Sequence, residues 1–405
     1  MTRTVPGRVP HRRVGMRAGL ATALTCLMVL AACNGGGGDG EGDDTPSVTA
    51  TILEPADSST DVITATEIVF STENAVEVRV ELTELDGASI DGELSEDGSR
   101  WAPAGQLAYN TTYVATVTAV GSDGTNAIDT STFTTMPEPE QTIRVFSFLG
   151  SDAVVGVGMP LRIEFKDDAG AMWPIPEEQR AEVERRLTVR TDPPQEGSWH
   201  WVSGSELHYR PREFWQSGTQ IHYHARTGGL PVGDGWYLRN DLNVNVTVGP
   251  EIIMTADAST LQLTVRVNGE VQRSIPVSLG RPEFPTSSGT FVIMEKFRET
   301  VFDTRQELGE DGYVVDIEYA MRTTYGGEFL HATVRSGEEL GAESVTHGCI
   351  NMARDNAEYL FQLTHAWGDP VIVTGTSRRV EPGNGWTDWN LDWEQYRQGS
   401  ALYAG

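Results

Sequence analysis

One cysteine, two histidines and the few residues around them are where this chain can do chemistry. The run Thr346-His347-Gly348-Cys349-Ile350-Asn351 follows His331 after fourteen intervening residues. An ordinary thiol, with a pKa of about 8.5, is only a few per cent thiolate at neutral pH. It becomes a competent nucleophile when a base or an imidazolium sits beside it, and two nearby histidines offer one. Gly348 lets the backbone turn sharply just before the thiol. Successive backbone N–H groups at such a turn can converge on a developing oxyanion. Two other readings use the same residue types. His331, His347 and Cys349 make three ligands of a zinc site, but a structural site wants a fourth and no other cysteine follows residue 33. The other is a buried, unreactive cysteine among core histidines.

The elements around these residues read as a β-rich unit from about 250 to 376. Leu261, Leu263, Val265 and Val267 alternate up to Asn268-Gly269, the pair a tight type I′ hairpin turn needs. The return strand runs through Val271, Ile275 and Val277, and Pro285 to Phe291 re-enters a strand. Beyond Cys349 the period changes. Ala357, Leu360, Phe361 and Thr364 fall on one helical face closed by Gly368, before Val371-Ile372-Val373 returns to the sheet.

Two further β units precede it, over 47–136 and 137–249. In the first, Val76, Val78, Val80 and Leu82 alternate with charged residues, and Asp86-Gly87, Asp97-Gly98 and Asp123-Gly124 mark turns. This spacing predicts an immunoglobulin-like sandwich. Met136-Pro137-Glu138-Pro139-Glu140 is a stiff boundary before the second unit. There Leu161, Ile163 and Phe165 alternate, a short helix is predicted over Glu177 to Leu187, and Trp199 and Trp201 are core candidates. His222 and His224 share a strand face, half of a metal site with no clustered third ligand nearby. After 377, Trp386, Trp389, Trp393 and Tyr396 fall at helical spacing, which predicts a face that docks the tail onto the body. A sugar-binding platform is the alternative.

At 405 residues the chain suits about three domains, and its many Gly, Thr and Val residues favour a mostly β fold. A net charge of −28 argues against a nucleic-acid partner. The first 33 residues differ in kind: five arginines, then an apolar run from Ala18 to Leu30 too short to span a bilayer comfortably. The ending Leu30-Ala31-Ala32-Cys33 resembles a bacterial lipobox, which implies cleavage before Cys33 and its diacylation; two acyl chains suffice for stable membrane anchoring. Residues 34–46 read as a flexible, Gly/Asp-rich tether. Fully extended it reaches roughly 40 Å, and each sandwich adds about 35 Å. With Cys26 removed and Cys33 lipidated, Cys349 is left as the lone thiol of an exported chain.

The stretch from about 250 to 376 resembles the catalytic domain of the L,D-transpeptidases (the YkuD family). That family carries a histidine, a gap of similar length and then Ser/Thr-His-Gly-Cys-x-Asn, matched here by His331 and Thr346 to Asn351. The whole layout, lipobox, two immunoglobulin-like units, catalytic unit and Trp-rich tail, is similar to the actinobacterial lipoprotein branch. The resemblance implies Cys349 as acylated nucleophile, His331 as its base, and His347 helping to shape the site. It also implies an oxyanion hole from the N–H groups of Gly348 and Cys349, with Thr346 and Asn351 bracing the loop. Tyr325 and Met321 would contribute to the substrate pocket. Ala332 stands where that branch has Ser: if the position holds His331 through its backbone carbonyl, Ala serves as well, and if the hydroxyl contributes, activity is altered. Thr333-Val334-Arg335 also depart from it.

The activity implied is formation of 3→3 cross-links between a tetrapeptide stem donor and an amine of a second peptidoglycan stem, at the outer face of the cytoplasmic membrane. Carbapenems are implied as acylating inhibitors, and neither metal nor organic cofactor is needed. Two rivals differ in outcome: an L,D-carboxypeptidase in which water resolves the thioester, and a non-catalytic wall-binding lipoprotein.

Overall fold

The computed structural model describes residues 47–404 except 86, 96, 306–311 and 313. The leader, the lipobox with Cys33 and the tether therefore lie outside the described residues, as does Asp86 of one expected turn. Sheets dominate, with the helices Glu177–Arg185, Arg354–Leu363 and Trp393–Arg397 among the described residues.

The N-terminal part pairs a four-stranded sheet with a five-stranded one around Ile68, Phe70, Leu82, Trp101, Tyr113 and Phe133. Its strand Ala75–Glu84 shows why alternation alone overreaches. Leu82 is fully buried but Val76 is 69% exposed, because the pairing with Thr112–Gly121 shifts register between Ala75 and Glu77. A bulge there takes Val76 out of the inward series. A second pair of sheets, of five and four strands, follows and encloses Leu161, Ile163, Phe165, Trp199 and Trp201.

The last ten-stranded sheet carries the chemistry. Gln262–Val267 and Glu270–Ser278 form the expected hairpin, with Asn268 and Gly269 at φ 51° and 81° as a type I′ turn requires. Pro370–Thr374 pairs in parallel with Ile252–Asp257. The helix after the cysteine runs Arg354–Leu363 and buries Ala357 and Leu360. It ends at Thr364, whose backbone turns extended and whose hydroxyl donates to the Leu360 carbonyl at 2.7 Å, not at Gly368. Gly368 (φ +90°) serves a close approach instead: a Cβ there would sit 2.5 Å from that of Met159. The second pair of sheets joins the catalytic unit at this point through Gly156 N–H to Trp367 O and Gly158 N–H to Gly368 O, both 2.8 Å.

The tail docks onto the body, though not as the single helix its aromatic spacing suggests: among its described residues only Trp393–Arg397 is α-helical. Trp389 donates to the Gly158 carbonyl at 2.7 Å, Trp386 packs edge-on against Phe148, and Arg210 lies over the ring of Tyr396. Beneath them sits a buried ionic chain. His208 bonds Asp388 through Nδ1 at 2.9 Å and Glu206 through Nε2 at 2.8 Å, and Arg162 Nε donates to Glu206 at 2.9 Å. Burial alone would depress the His208 pKa, but Asp388 and Glu206 outweigh it and raise it to about 9. Burial pushes both carboxyls up, and His208, joined at Glu206 by Arg162, more than offsets this, leaving Glu206 at about 2 and Asp388 lowered. The imidazolium contributes stability that is full below its unfolded pKa of about 6.5 and is lost as pH rises through about 9; the carboxylates contribute above about 4.5 and lose it as pH falls. His208→Leu should therefore cost about 3–5 kcal/mol near pH 6, since it strands Asp388 without a counter-charge. Calorimetry at about pH 6 and about pH 10 should show the gap to wild type shrinking at the higher pH; an equal gap at both would show that lost packing, not charge, is the cause.

Candidate active site

Strand Phe329–Ala332 lies parallel to Ile350–Met352, with Leu330 opposite Ile350 and His331 opposite Asn351. Side chains alternate across a strand, so each strand sorts into two sets. Leu330, Ala332, Ile350 and Met352 enter the core of the catalytic unit. His331, Cys349 and Asn351 turn to the other face and line a cavity of about 310 Å³ with Phe302, Val315, Ile317, Val334, Arg335, Val345, Thr346 and His347. Local pairing thus brings together the nucleophile and both histidines. A larger cavity of about 660 Å³ between the catalytic sheet and the tail includes His200, His208 and Asp388 in its wall but no cysteine; its His208 and Asp388 are bonded to each other, so the smaller cavity is where nucleophilic chemistry belongs.

The His331 Nδ1–H donates to the carbonyl of Ala332 at 2.8 Å. This fixes the tautomer and leaves Nε2 as the proton acceptor. A backbone carbonyl does the holding, a group that any residue type at 332 supplies. Burial drives the His331 pKa down to about 4. Burial likewise pushes the Cys349 thiol up to about 12, with Glu328 adding to the rise and the Phe329 N–H and Arg322 opposing it. The resting pair is therefore neutral thiol and neutral imidazole. Cys349 Sγ lies 3.7 Å from the Gly327 carbonyl, to which its S–H donates. The His347 ring lies 5.0 Å from that of Phe284, tilted by 45°.

Thr346 closes the loop: its Oγ1 accepts from Gly348 N–H at 3.2 Å and donates to the Cys349 carbonyl at 2.7 Å. Gly348 adopts φ +122°, a conformation side-chain-bearing residues rarely take. Its N–H is thus already engaged, a correction to its expected place in the oxyanion hole. Asn351 does not brace the loop through its side-chain oxygen, since Oδ1 is buried and has no hydrogen-bond partner.

Met321 and Tyr325 are not in the cavity. Met321 is fully buried in the core of the catalytic unit, its sulfur 3.6 Å from the Thr364 hydroxyl oxygen, although Ile317 four residues earlier lines the cavity. Between them Tyr319 takes φ +53°, and one left-handed residue inverts the alternation of the strand. Tyr325 is 56% exposed and faces Trp386 and the charges of Arg162 and Glu206 on the second pair of sheets.

A group that motif reading missed lies behind the nucleophile. Glu328, 7% exposed, is ion-paired with Arg378 and accepts from the N–H and hydroxyl of Ser287, both at 3.0 Å. Burial raises its pKa, and Arg378 opposes the rise. A Cβ on Gly348 would come within 3.4 Å of Glu328 Oε1 and 3.8 Å of Arg378, so this pair backs the nucleophile loop. The only sequence signal was an acidic residue at the mouth of an apolar strand.

His222 and His224 lie 6.1 Å apart, His222 bonded to Asn245 at 2.7 Å and His224 accepting from Arg226 at 3.1 Å.

Comparison with known proteins agrees with this architecture. Residues 251–373 match the L,D-transpeptidase catalytic domain (YkuD), and residues 59–231 match the bacterial Ig domain. The chain is 31% identical over 361 residues to L,D-transpeptidase 2 of Mycobacterium tuberculosis, covering 88% of this chain and 85% of that protein. It is 32% identical over 401 residues to L,D-transpeptidase 5 of the same species, covering 96% and 85%. A solved structure described as LD transpeptidase LdtMt1 in complex with imipenem is 30% identical, covers 59% of this chain and 100% of its own, and superposes with a TM-score of 0.48. The chain belongs to the L,D-transpeptidase family and is an L,D-transpeptidase acting in peptidoglycan cross-linking.

Two outcomes follow from the site. With His331 already neutral down to about pH 4, the rate of Cys349 acylation should fall with acid near that value and not near the ordinary histidine pKa of about 6.5; a stopped-flow acylation profile that breaks near 6.5 would contradict it. Thr346→Val should slow acylation roughly ten- to a hundredfold, because it leaves the Gly348 N–H and the Cys349 carbonyl unpaired at about 1–3 kcal/mol each. Thr346→Ser should restore most of the rate.

Proposed function

We propose that the chain forms 3→3 cross-links through an acyl-enzyme on Cys349, with His331 as the base. The observation that carries this reading is His331, held through Nδ1 by the Ala332 carbonyl in the same cavity wall as the only described cysteine. Cys349 Sγ attacks the carbonyl carbon of the third residue of a tetrapeptide stem. The thiol proton passes to His331 Nε2, and from there to the departing amine of the terminal D-alanine as the peptide bond breaks. An amine of a second stem then attacks the thioester, gives its proton to His331 and so returns the thiol. Because the Gly348 N–H is held by Thr346, the Cys349 N–H is the backbone donor assigned to the developing oxyanion. His347 shapes the wall, and Thr346 sets the loop.

The same nucleophile would be acylated by carbapenems. The lipobox-like Leu30-Ala31-Ala32-Cys33 and the tether after it support a lipid anchor at Cys33 on the outer face of the cytoplasmic membrane, with the immunoglobulin-like region acting as a stalk toward the wall.

Intact mass spectrometry of the full chain incubated with a disaccharide-tetrapeptide tests the reading, with Cys349→Ala alongside. The expected result is a thioester adduct on wild type only, together with a stem dimer lacking one D-alanine. Adduct with tripeptide monomer and no dimer would mean a carboxypeptidase, and no adduct with tetrapeptide or carbapenem would leave a wall-binding role.

A further inference from the structure

The cavity wall that holds Cys349 and His331 has an uneven charge. The whole chain carries −28, yet among the described residues this wall includes no Asp or Glu and one permanently charged group, Arg335. That side chain is exposed and makes no ion pair among the described residues. Glu339, a carboxylate that feels the Arg335 charge, is already held by the Thr333 hydroxyl at 2.7 Å and the Gly337 N–H at 3.1 Å. The backbone places Arg335 firmly: its own N–H donates to Thr333 Oγ1 at 3.2 Å, and Thr333 N–H donates to Met352 O at 2.7 Å, extending the ladder of the catalytic strands. On the same wall Asn351, 6% exposed, presents a buried Oδ1 without a partner. A buried acceptor left unpaired costs about 1–3 kcal/mol unless something occupies it. An unpaired cation and an orphan acceptor facing one cavity describe a ligand that carries a carboxylate beside an N–H.

We propose that Arg335 is a specificity residue that reads a carboxylate of the donor stem, with Asn351 accepting from an adjacent amide N–H. This rests on the cross-linking reading above and names what its donor must carry. The chemistry of that reaction supplies such a group by necessity. The residue expelled is the C-terminal one, so it bears a free carboxylate one Cα away from the amide N–H that is cut. A side-chain carboxylate on the third residue is the other source. Guanidinium meets carboxylate in a planar, two-bond fork that a lysine reproduces only as a point charge.

Steady-state acylation of the full chain separates these. Wild type, Arg335→Met and Arg335→Lys are compared on a tetrapeptide donor, on its C-terminal amide, and on a donor with its third-residue side-chain carboxylate amidated. Arg335→Met should raise KM about tenfold on the parent donor, the scale of one charge-assisted contact, with kcat changed less than about twofold; Arg335→Lys should recover part of the loss. The penalty should vanish on whichever amidated donor has lost the carboxylate that Arg335 reads, and so identify it. Equal KM for wild type and Arg335→Met on the parent donor, or a penalty that persists on both amides, would overturn the assignment while leaving the transpeptidase reading intact. No acylation of wild type by any donor would overturn both.

Discussion

The parallel pairing of Phe329–Ala332 with Ile350–Met352 is the contact on which the site depends. Because side chains alternate with a period of two, this register decides that Cys349, His331 and Asn351 share the cavity face while Ile350, Leu330 and Met352 fill the core. A slip of one residue would exchange the two sets and leave a thiol in the core and an isoleucine in the cavity. A three-residue strand cannot fix its own register. Ile350–Met352 is held from both sides, by the histidine strand in parallel and by Glu270–Ser278 antiparallel through Val277 and Ser278. Thr346 N–H to Leu279 O and Arg281 N–H to Thr346 O, both 3.0 Å, extend that grip to the loop itself. The apolar side chains of the neighbouring strands thus set the position of the nucleophile as firmly as any polar contact.

Burial sets how that nucleophile behaves at rest. The cavity removes Cys349 and His331 from water, and each responds by keeping its uncharged form, the thiol up to about 12 and the imidazole down to about 4. Proton transfer between them would create two charges in a poorly solvated place, which is unfavourable until a substrate carbonyl takes up the new electron density. The thiol is therefore quiet in an empty site and becomes a nucleophile as the bond forms. Glu328 adds to this restraint: its charge opposes the thiolate, and Arg378 offsets the carboxylate from behind the loop.

What could be read from the sequence was whatever short-range pattern determines. The Asn268-Gly269 turn, the helix face of Ala357 and Leu360, and the His331 to Cys349 constellation each follow from residue types a few positions apart, and each lies where that pattern puts it. Met321 and Tyr325 failed because their directions depend on backbone angles that composition does not disclose. Tyr319 takes a left-handed conformation that reverses the strand's faces, and the chain after Thr324 turns toward the second pair of sheets. Val76 failed for the same kind of reason, a bulge at Ala75–Glu77. The Glu328–Arg378–Ser287 group was illegible because its members are 41 and 50 residues apart or more, with no local spacing to announce them. Gly348 was read correctly as a sharp turn, yet the turn's own closure by Thr346 engages the N–H that the motif would have assigned to the oxyanion.

The second pair of sheets is bound to the catalytic unit by contacts of a kind that resist sliding. Glycines at 156 and 158 let two backbones meet directly: a Cβ at Gly156 would fall 2.4 Å from the Asp369 N, too close for any side chain to be accommodated there. Hydrogen bonds between backbones have one register, unlike apolar faces that can shift and repack. Asp369, the next residue, is fully buried and bonds the His365 ring at 2.8 Å, which fixes the loop leading from the helix Arg354–Leu363 into Pro370–Thr374. The tail then crosses back and anchors on Gly158 through Trp389 and on His208 through Asp388. Two separate chain segments of the catalytic half thus end on the same short stretch of the second pair of sheets. Removing the tail would also take Asp388 away and leave the buried His208 with Glu206 as its one carboxylate partner.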